Sequence, residues 1–143
     1  MSEAPEVLIK EETTALGRLV FHTLLFRDYA NNADAACVAL MKRFCDKYEI
    51  GYWSYFKVGR NSGFMCPDTD EFYHFEMPNY FSGNVSAEAA GIIVTIFVLQ
   101  NCFDAAWARQ DSDLCDHFRE AMDTLKDYAA TTDESASIYR AID

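Results

Sequence analysis

The apolar run Ala89–Leu99, directly after a helix start, constrains the fold of this chain more than any other feature. Ser86 supplies a capping hydroxyl and Glu88 places a carboxylate in the first turn, and both are typical of a helix N-terminus. Within the run only Thr95 has a polar side-chain group. A helix that is apolar on nearly every face is surrounded by protein or by lipid, and this run is shorter than the roughly 18 apolar residues that a bilayer requires. The sequence therefore predicts that Ser86–Trp107 is the central helix of a soluble core.

Helical and strand patterns surround this central helix. Helical spacing of apolar residues predicts four further helices: Leu16–Phe26, one that begins at Asp34 and stops before Gly51, one capped by Asp111 or Ser112, and Ser135–Ile142. Aromatic and β-favouring residues predict three short strands: Tyr52–Val58, Phe64–Cys66 and Phe72–Met77. Residues 78–84 are expected to form a loop. Sequential strands joined by tight turns favour an antiparallel meander.

The composition supports one compact domain. A chain of 143 residues with 50% hydrophobic and 15% aromatic residues has enough apolar surface for a core, and no linker interrupts it. The predicted fold class is α+β, with a small three-stranded antiparallel sheet packed against four to five helices. Residues 13–143 are expected to form this domain, and the polar, acidic residues 1–12 are expected to be flexible.

The charge balance and the cysteines limit the partners and the compartment. Twelve basic residues stand against 23 acidic ones, for a net charge of −11, and such a field disfavours direct nucleic-acid binding. Five cysteines occur at long spacings without a CxxC pair, and the first residues form no apolar leader. These features are typical of free thiols in a reducing compartment. We expect a cytoplasmic protein without a membrane partner.

The sequence does not indicate an enzyme, a cofactor or a metal site. Cys66 and His74 could approach each other across the predicted meander, but a Cys/His nucleophile also needs an orienting group and an oxyanion site, and neither is visible. A zinc site needs four ligands at regular spacings, which this sequence lacks. No catalytic, cofactor-binding or metal-binding residue is therefore predicted. A small thiol- or metal-dependent enzyme that uses Cys66 and His74 is the weakest alternative.

An acidic row on the helix that follows Asp111 offers a second alternative. Its members recur at spacings of three and four residues, which places them on one side of the helix: Asp113, Asp116, Glu120, Asp123 and Asp127. Such a row could imitate the phosphates of DNA. Because Arg119 and Lys126 interrupt it, a solvated helix face is favoured over a DNA mimic.

Several motifs carry a resemblance to a known family. The strongest are Ser82–Gly83 and Ser86–Ile92 (SAEAAGI), and the others are Gly51–Phe56 (GYWSYF), Met65–Pro67 (MCP), Leu125–Ala129 (LKDYA) and Tyr139–Asp143 (YRAID). Together they resemble the ArdB/KlcA antirestriction proteins of plasmids and other mobile elements, from about residue 33 to the end. The first 30 residues match poorly. The turn Arg60–Gly63, Cys66 and Val85 depart from the family pattern.

The resemblance implies a function and a type of partner. Such proteins protect incoming mobile-element DNA by inhibiting host type I restriction–modification systems, without an enzymatic site and without binding DNA directly. The implied partner is the restriction machinery or an associated DNA-processing protein. Because the C-terminus matches the family pattern closely, we expect an interaction surface at Asp133, Glu134, Arg140 and Asp143. The sequence predicts no oligomeric state.

Overall fold

The structure is a computed structural model that describes residues 9–143. A short 3₁₀ turn, Arg27–Tyr29, separates the first two helices. The elements in chain order are β1 (Ile9–Glu12), α1 (Ala15–Phe26), α2 (Ala30–Phe44), β2 (Trp53–Val58), β3 (Ser62–Pro67), β4 (Phe72–Glu76), β5 (Ser82–Ser86), α3 (Ala87–Ala108), α4 (Ser112–Ala129) and α5 (Ser135–Ile142). The α+β prediction, with a three-stranded antiparallel sheet, is confirmed.

The strands form two sheets rather than one meander. The three-stranded sheet has the order β1-β2-β3, and β4 pairs with β5 in a separate two-stranded sheet. The prediction that Phe72–Met77 is the third strand of the main sheet is therefore wrong. The predicted loop over residues 78–84 is wrong at its end, because Ser82, Gly83 and Asn84 pair with β4. These three residues have low strand propensity, and only backbone pairing with β4 makes them extended.

The third strand of the main sheet comes from the N-terminal segment. Ile9–Glu12 pairs antiparallel with β2, from Ile9 opposite Val58 to Glu12 opposite Tyr55. The prediction that residues 1–12 are flexible is wrong for these four, and residues 1–8 lie outside the described residues. The prediction rests on the polar side chains of this segment, and most side chains of β1 are indeed exposed. The strand is held by backbone hydrogen bonds, which a polar sequence can make as well as an apolar one.

The second helix begins earlier than predicted and also ends earlier. α2 starts at Ala30, directly after the 3₁₀ turn, so Asn31 and Asn32 lie inside the helix rather than before it. It ends at Phe44, with Cys45 in an extended conformation. Tyr48 is buried beyond the helix, where its hydroxyl accepts a hydrogen bond from the Trp53 indole at 2.8 Å. An apolar residue at helical spacing thus contacts the core from a loop.

Helix α3 is the centre of the molecule, as the sequence predicts. Its N-cap is Ser86, whose Oγ accepts from the Ala89 N–H at 3.1 Å. The helices α2, α4 and α5 and the strand β3 all contact it. The helix has the 22-residue length and the mean hydropathy of a membrane span, but 67% of its most apolar window is buried inside the protein. Packing, rather than length, identifies it as a core helix.

Two residues of α3 set its contact with β3. Gly91 lies against Met65 and Cys66: a Cβ at this position would overlap the Cys66 Cβ and the Met65 carbonyl oxygen and would lie 2.7 Å from the Cys66 Cα. One turn further, the fully buried Thr95 hydroxyl lies 3.3 Å from the Met65 N–H and 3.5 Å from the Met65 carbonyl. β3 is an edge strand, so α3 covers backbone groups that would otherwise lack partners.

The close approach at Gly91 gives a stability prediction. Gly91→Ala should lower the free energy of unfolding by about 3 kcal/mol, because the added methyl group meets backbone atoms that cannot move aside. Gly51→Ala is the matched control, since no atom lies within 4 Å of a Cβ at that position. Urea denaturation of both variants measures the difference. Equal denaturation midpoints for the two variants would contradict the proposed contact.

Candidate interaction surface

The C-terminal helix α5 is fastened to the rest of the protein at its first turn. The Glu134 carboxylate, directly before α5, accepts a hydrogen bond from the Ser86 N–H at 2.8 Å and another from the Ser86 hydroxyl. The same hydroxyl accepts from the N–H of Ala89. Ser86 therefore caps α3 and holds the start of α5 with one side chain.

The other end of α5 is fastened by Asn79, in the loop between β4 and β5. The side-chain amide nitrogen of Asn79 lies 2.9 Å from the carbonyl oxygens of Ala141 and Asp143, and 3.2 Å from that of Arg140. Its side-chain oxygen accepts from the Phe81 N–H at 3.1 Å. Terminal carbonyls of a helix have no partners within the helix, so Asn79 acts as their cap.

These contacts create one continuous surface from the β4–β5 loop and the chain end. The Arg140 guanidinium lies over the ring of Phe81, 5.6 Å from its centroid, while Phe81 itself is buried. Tyr80 projects beside them with 96% of its surface exposed. We call Asn79, Tyr80, Phe81, Arg140 and Asp143 the hairpin–tail surface.

Tyr80 is the unusual member of this surface. Its φ angle is +71°, in the left-handed region that costs a non-glycine residue roughly 1 kcal/mol or more. Its side chain has almost no contact with the protein to offset that cost. Tyrosine is enriched at binding hot spots, where its ring supplies contact area at a low entropic cost. Tyr80 therefore marks the loop as a candidate contact point.

The structure divides the four residues that the sequence suggested for an interaction surface. Arg140 and Asp143 join the hairpin–tail surface at the C-terminal end of α5. Asp133 and Glu134 lie at the opposite end, about 12 Å away along the helix axis. Asp133 is exposed, whereas the Glu134 carboxylate is occupied by Ser86 and holds the fold together.

The acidic row of α4 lies on the solvent side of that helix. All five of its residues are exposed: Asp113, Asp116, Glu120, Asp123 and Asp127. The row spans about 21 Å along the helix. Arg119 donates a hydrogen bond to the Asp116 carboxylate at 2.9 Å, which neutralises part of the row. The opposite face of α4 is buried, so the row has the arrangement of an ordinary solvated helix face.

The geometry does not support a Cys66/His74 nucleophile. Cys66 lies on β3 in the three-stranded sheet and is buried, whereas His74 lies on β4 in the other sheet with an exposed side chain. Burial, followed by the charge of Glu88, raises the pKa of the Cys66 thiol to about 12. The His74 ring contacts Asn84 at 3.0 Å instead. Within residues 9–143 no group of three or more His, Cys, Asp or Glu side chains is placed to hold a metal ion.

Comparison with known proteins decides the family. The family model described as "Antirestriction protein" matches residues 46–143. This chain belongs to the antirestriction protein family. The match includes both strands of the β4–β5 hairpin, the central helix and α5, and so it contains the whole hairpin–tail surface.

Individual relatives support the same family membership. The antirestriction protein KlcA of Escherichia coli is 34% identical over 111 residues, which cover 77% of this chain and 76% of the relative. The putative antirestriction protein YubI of Escherichia coli strain K12 is 35% identical over 95 residues, which cover 66% of this chain and 65% of YubI. The resemblance to the ArdB/KlcA family is thereby confirmed.

A solved structure matches this chain over its whole length. It covers 100% of this chain and 99% of its own, with a TM-score of 0.82 and 31% sequence identity. That structure is from work on the KlcA and ArdB proteins, which are described as having a novel fold and antirestriction activity against type I DNA restriction systems in vivo but not in vitro. β1 and α1, which lie outside the family-model match, are thus included in the shared fold.

Sequence reasoning does not find two residues of the β4–β5 loop that define the hairpin–tail surface. Asn79 and Tyr80 lie in the predicted loop, and the signal for a turn there is that an asparagine side chain readily bonds the backbone two residues further on. No local signal could show that the asparagine caps a helix about 60 residues away.

The buried cysteines give a prediction about reactivity. All five are free and buried, and burial raises the pKa of Cys66 to about 12 and that of Cys102 to about 11. A raised pKa keeps a thiol protonated at pH 8, so the native protein should react with Ellman's reagent at less than one thiol per chain within minutes. Denaturation in guanidinium should release five. Rapid reaction in the native protein that is lost in Cys66→Ser would instead identify a reactive nucleophile.

Proposed function

We propose that this chain protects mobile-element DNA that enters a bacterial cell, by inhibiting host type I restriction–modification systems. It does so inside the cell through protein–protein contact, without chemistry of its own and without binding DNA. The observation that supports this most is the match of the whole chain to a solved structure from work on KlcA and ArdB, at 31% identity and a TM-score of 0.82. Sequence identity at this level over a shared fold supports a shared activity as well as a shared architecture.

The proposed partner is a host protein associated with restriction rather than the DNA. A net charge of −11 opposes approach to a polyphosphate, and the exposed carboxylates of α4 add to the same field. The activity reported for KlcA and ArdB is observed in vivo but not in vitro. Inhibition by this chain would show the same difference if it requires a cellular component that purified restriction assays lack. Of the two expected partners, a DNA-processing protein associated with the restriction machinery fits that requirement.

The hairpin–tail surface is the contact site in this proposal. Tyr80 offers an exposed ring in a fixed backbone, and Arg140 is held in place by the Phe81 ring. Arginine and tyrosine are the side chains that most often dominate the energy of protein interfaces. The acidic row of α4 is the runner-up, as a DNA mimic that would bind the basic groove of a restriction subunit.

A phage-plating experiment tests the proposed activity. Expression of the chain in a host with a type I restriction system should raise the plating efficiency of unmodified phage toward that seen in the same host without the system. Phage already modified by the host are the control, since their plating should not change. Equal restriction of unmodified phage with and without the protein would refute the function.

Surface variants in the same assay test which surface acts. Tyr80→Asn should abolish most of the protection, because loss of an exposed hot-spot ring costs about 2 kcal/mol, or roughly 30-fold in affinity. Asparagine tolerates the positive φ better than tyrosine, so this variant should fold at least as stably. Tyr52→Asn is the matched control, since Tyr52 is also exposed, at 88%.

Charge reversal on α4 distinguishes the DNA-mimic alternative from contact through the hairpin–tail surface. Asp116→Lys, Glu120→Lys and Asp123→Lys together should leave protection intact if the hairpin–tail surface is the contact site. A DNA mimic would lose its activity in this triple variant. Circular dichroism should confirm that both the Tyr80 and the α4 variants remain folded before their plating efficiencies are compared.

A further inference from the structure

The outer face of α1 carries mostly apolar side chains. Four of the five side chains on this face are large aliphatic residues with nearly half or more of their surface in solvent: Leu16 (71%), Leu19 (64%), Val20 (46%) and Leu24 (50%). The fifth is Thr23, whose hydroxyl donates to the Leu19 carbonyl at 3.0 Å. The opposite face of the helix is buried in the core. α1 therefore has two apolar faces, and only one of them is covered among the described residues.

This face differs from the other exposed apolar residues of the protein. Tyr52, Phe72 and Trp107 are exposed at separate places in the fold, as single apolar residues commonly are. The α1 residues instead form one stripe from Leu16 to Leu24, which extends about 12 Å along the helix axis. Contiguous apolar stripes on a protein surface mark sites that bind another apolar surface.

The charge beside the stripe is opposite to that of the whole protein. A groove of about 400 Å³ lies between α1, the β2–β3 turn and α4, and its lining includes Arg27, Lys57 and Arg60 against one carboxylate, Glu12. Within residues 9–143 none of these three cations has a carboxylate within 4 Å. α1 itself contains no acidic residue. An apolar stripe with a basic edge thus lies on a chain with 12 basic and 23 acidic residues.

We infer that this face binds an acidic amphipathic helix of a partner protein. The aliphatic residues of such a helix, at spacings of three and four, would cover the α1 stripe, and Asp or Glu on its flank would pair with Arg27, Lys57 and Arg60. A partner helix of about 12 residues, or about 18 Å, is long enough to cover the stripe. This surface shares no residue with the hairpin–tail surface, and the inference is independent of the proposed antirestriction activity.

The charge pattern favours this occupant over two others. A second copy on this face would bring Arg27, Lys57 and Arg60 toward the same cations of the other copy, and α1 carries no acid that could pair with them. An anionic membrane would attract the basic edge but would repel a chain of net charge −11. A helix with an aliphatic face and acidic flanks complements both the apolar stripe and the basic residues beside it.

A displayed library of helices tests the inference directly. The full chain is used to select from helical peptides of about 15 residues with a fixed aliphatic stripe and with flanks randomised among Glu, Lys, Gln and Ala. The selected peptides should have acidic flanks. Their affinity, measured by fluorescence anisotropy, should fall about tenfold or more for the variant Leu19→Ser/Leu24→Ser. Arg60→Glu should weaken binding and reduce its salt dependence, whereas Trp107→Ser, an exposed apolar residue on α3, should change neither.

Other outcomes would overturn the inference. The first is a selection that yields no peptide, or that yields peptides with basic flanks. The second is equal peptide affinity for the unmodified chain and for Leu19→Ser/Leu24→Ser. Sedimentation that shows a dimer lost in that variant would identify a second copy as the occupant. Binding to anionic vesicles without selection of any peptide would identify a membrane. Peptide binding that requires removal of residues 1–8 would show that the chain covers this face itself. All of these are measured in vitro and stand apart from the plating assay.

Discussion

The contact between α3 and β3 is the constraint on which the rest of the structure depends. At Gly91 the helix and the strand approach so closely that no side chain fits between them, and at Thr95 a hydroxyl meets the backbone of Met65. The absence of a side chain at one position and the polar group at another let an apolar helix cover the edge of a sheet. Because α2, α4 and α5 all pack on α3, the depth of this contact influences where these three helices lie relative to the sheet.

Ser86 extends this constraint to the surface. It is the last residue of β5, the cap of α3 and the donor to Glu134, so a single side chain connects the two-stranded sheet, the central helix and the start of α5. Asn79 completes the arrangement at the other end of β5. The family-typical segment Ser86–Ile92 is thus a structural junction, and its role is to hold the hairpin and the chain end in fixed relative positions. The residues proposed to contact a partner are therefore those of the hairpin–tail surface, which this junction holds in position, and not the junction residues themselves.

Several elements could be predicted from the sequence because their signals are local. The caps of α3 and α4, the apolar run of α3 and the terminal helix Ser135–Ile142 were all placed within about one residue, since a capping side chain and the apolar period act over a few residues. β1, β5 and the early start of α2 were missed. Ile9–Glu12 and Ser82–Ser86 are strands only because a distant or neighbouring backbone pairs with them, and their own side chains do not favour that state. The sequence suggests Glu134 for an interaction surface, although its carboxylate is bound by Ser86, 48 positions earlier.

The sequence by itself determined the family, the α+β class, the central helix and the free thiols, because motifs, hydrophobic period and composition are properties of the chain. Only the tertiary structure decided how the strands are divided between two sheets, which charges remain free and where apolar surface is left uncovered. These outcomes depend on pairs of groups that are far apart in sequence, such as Asn79 with the end of α5. The exposure of the Tyr80 ring and of the outer face of α1 also depends on groups that are distant in sequence. An apolar residue in a sequence is equally consistent with a core and a contact surface, and only the positions of its neighbours distinguish the two.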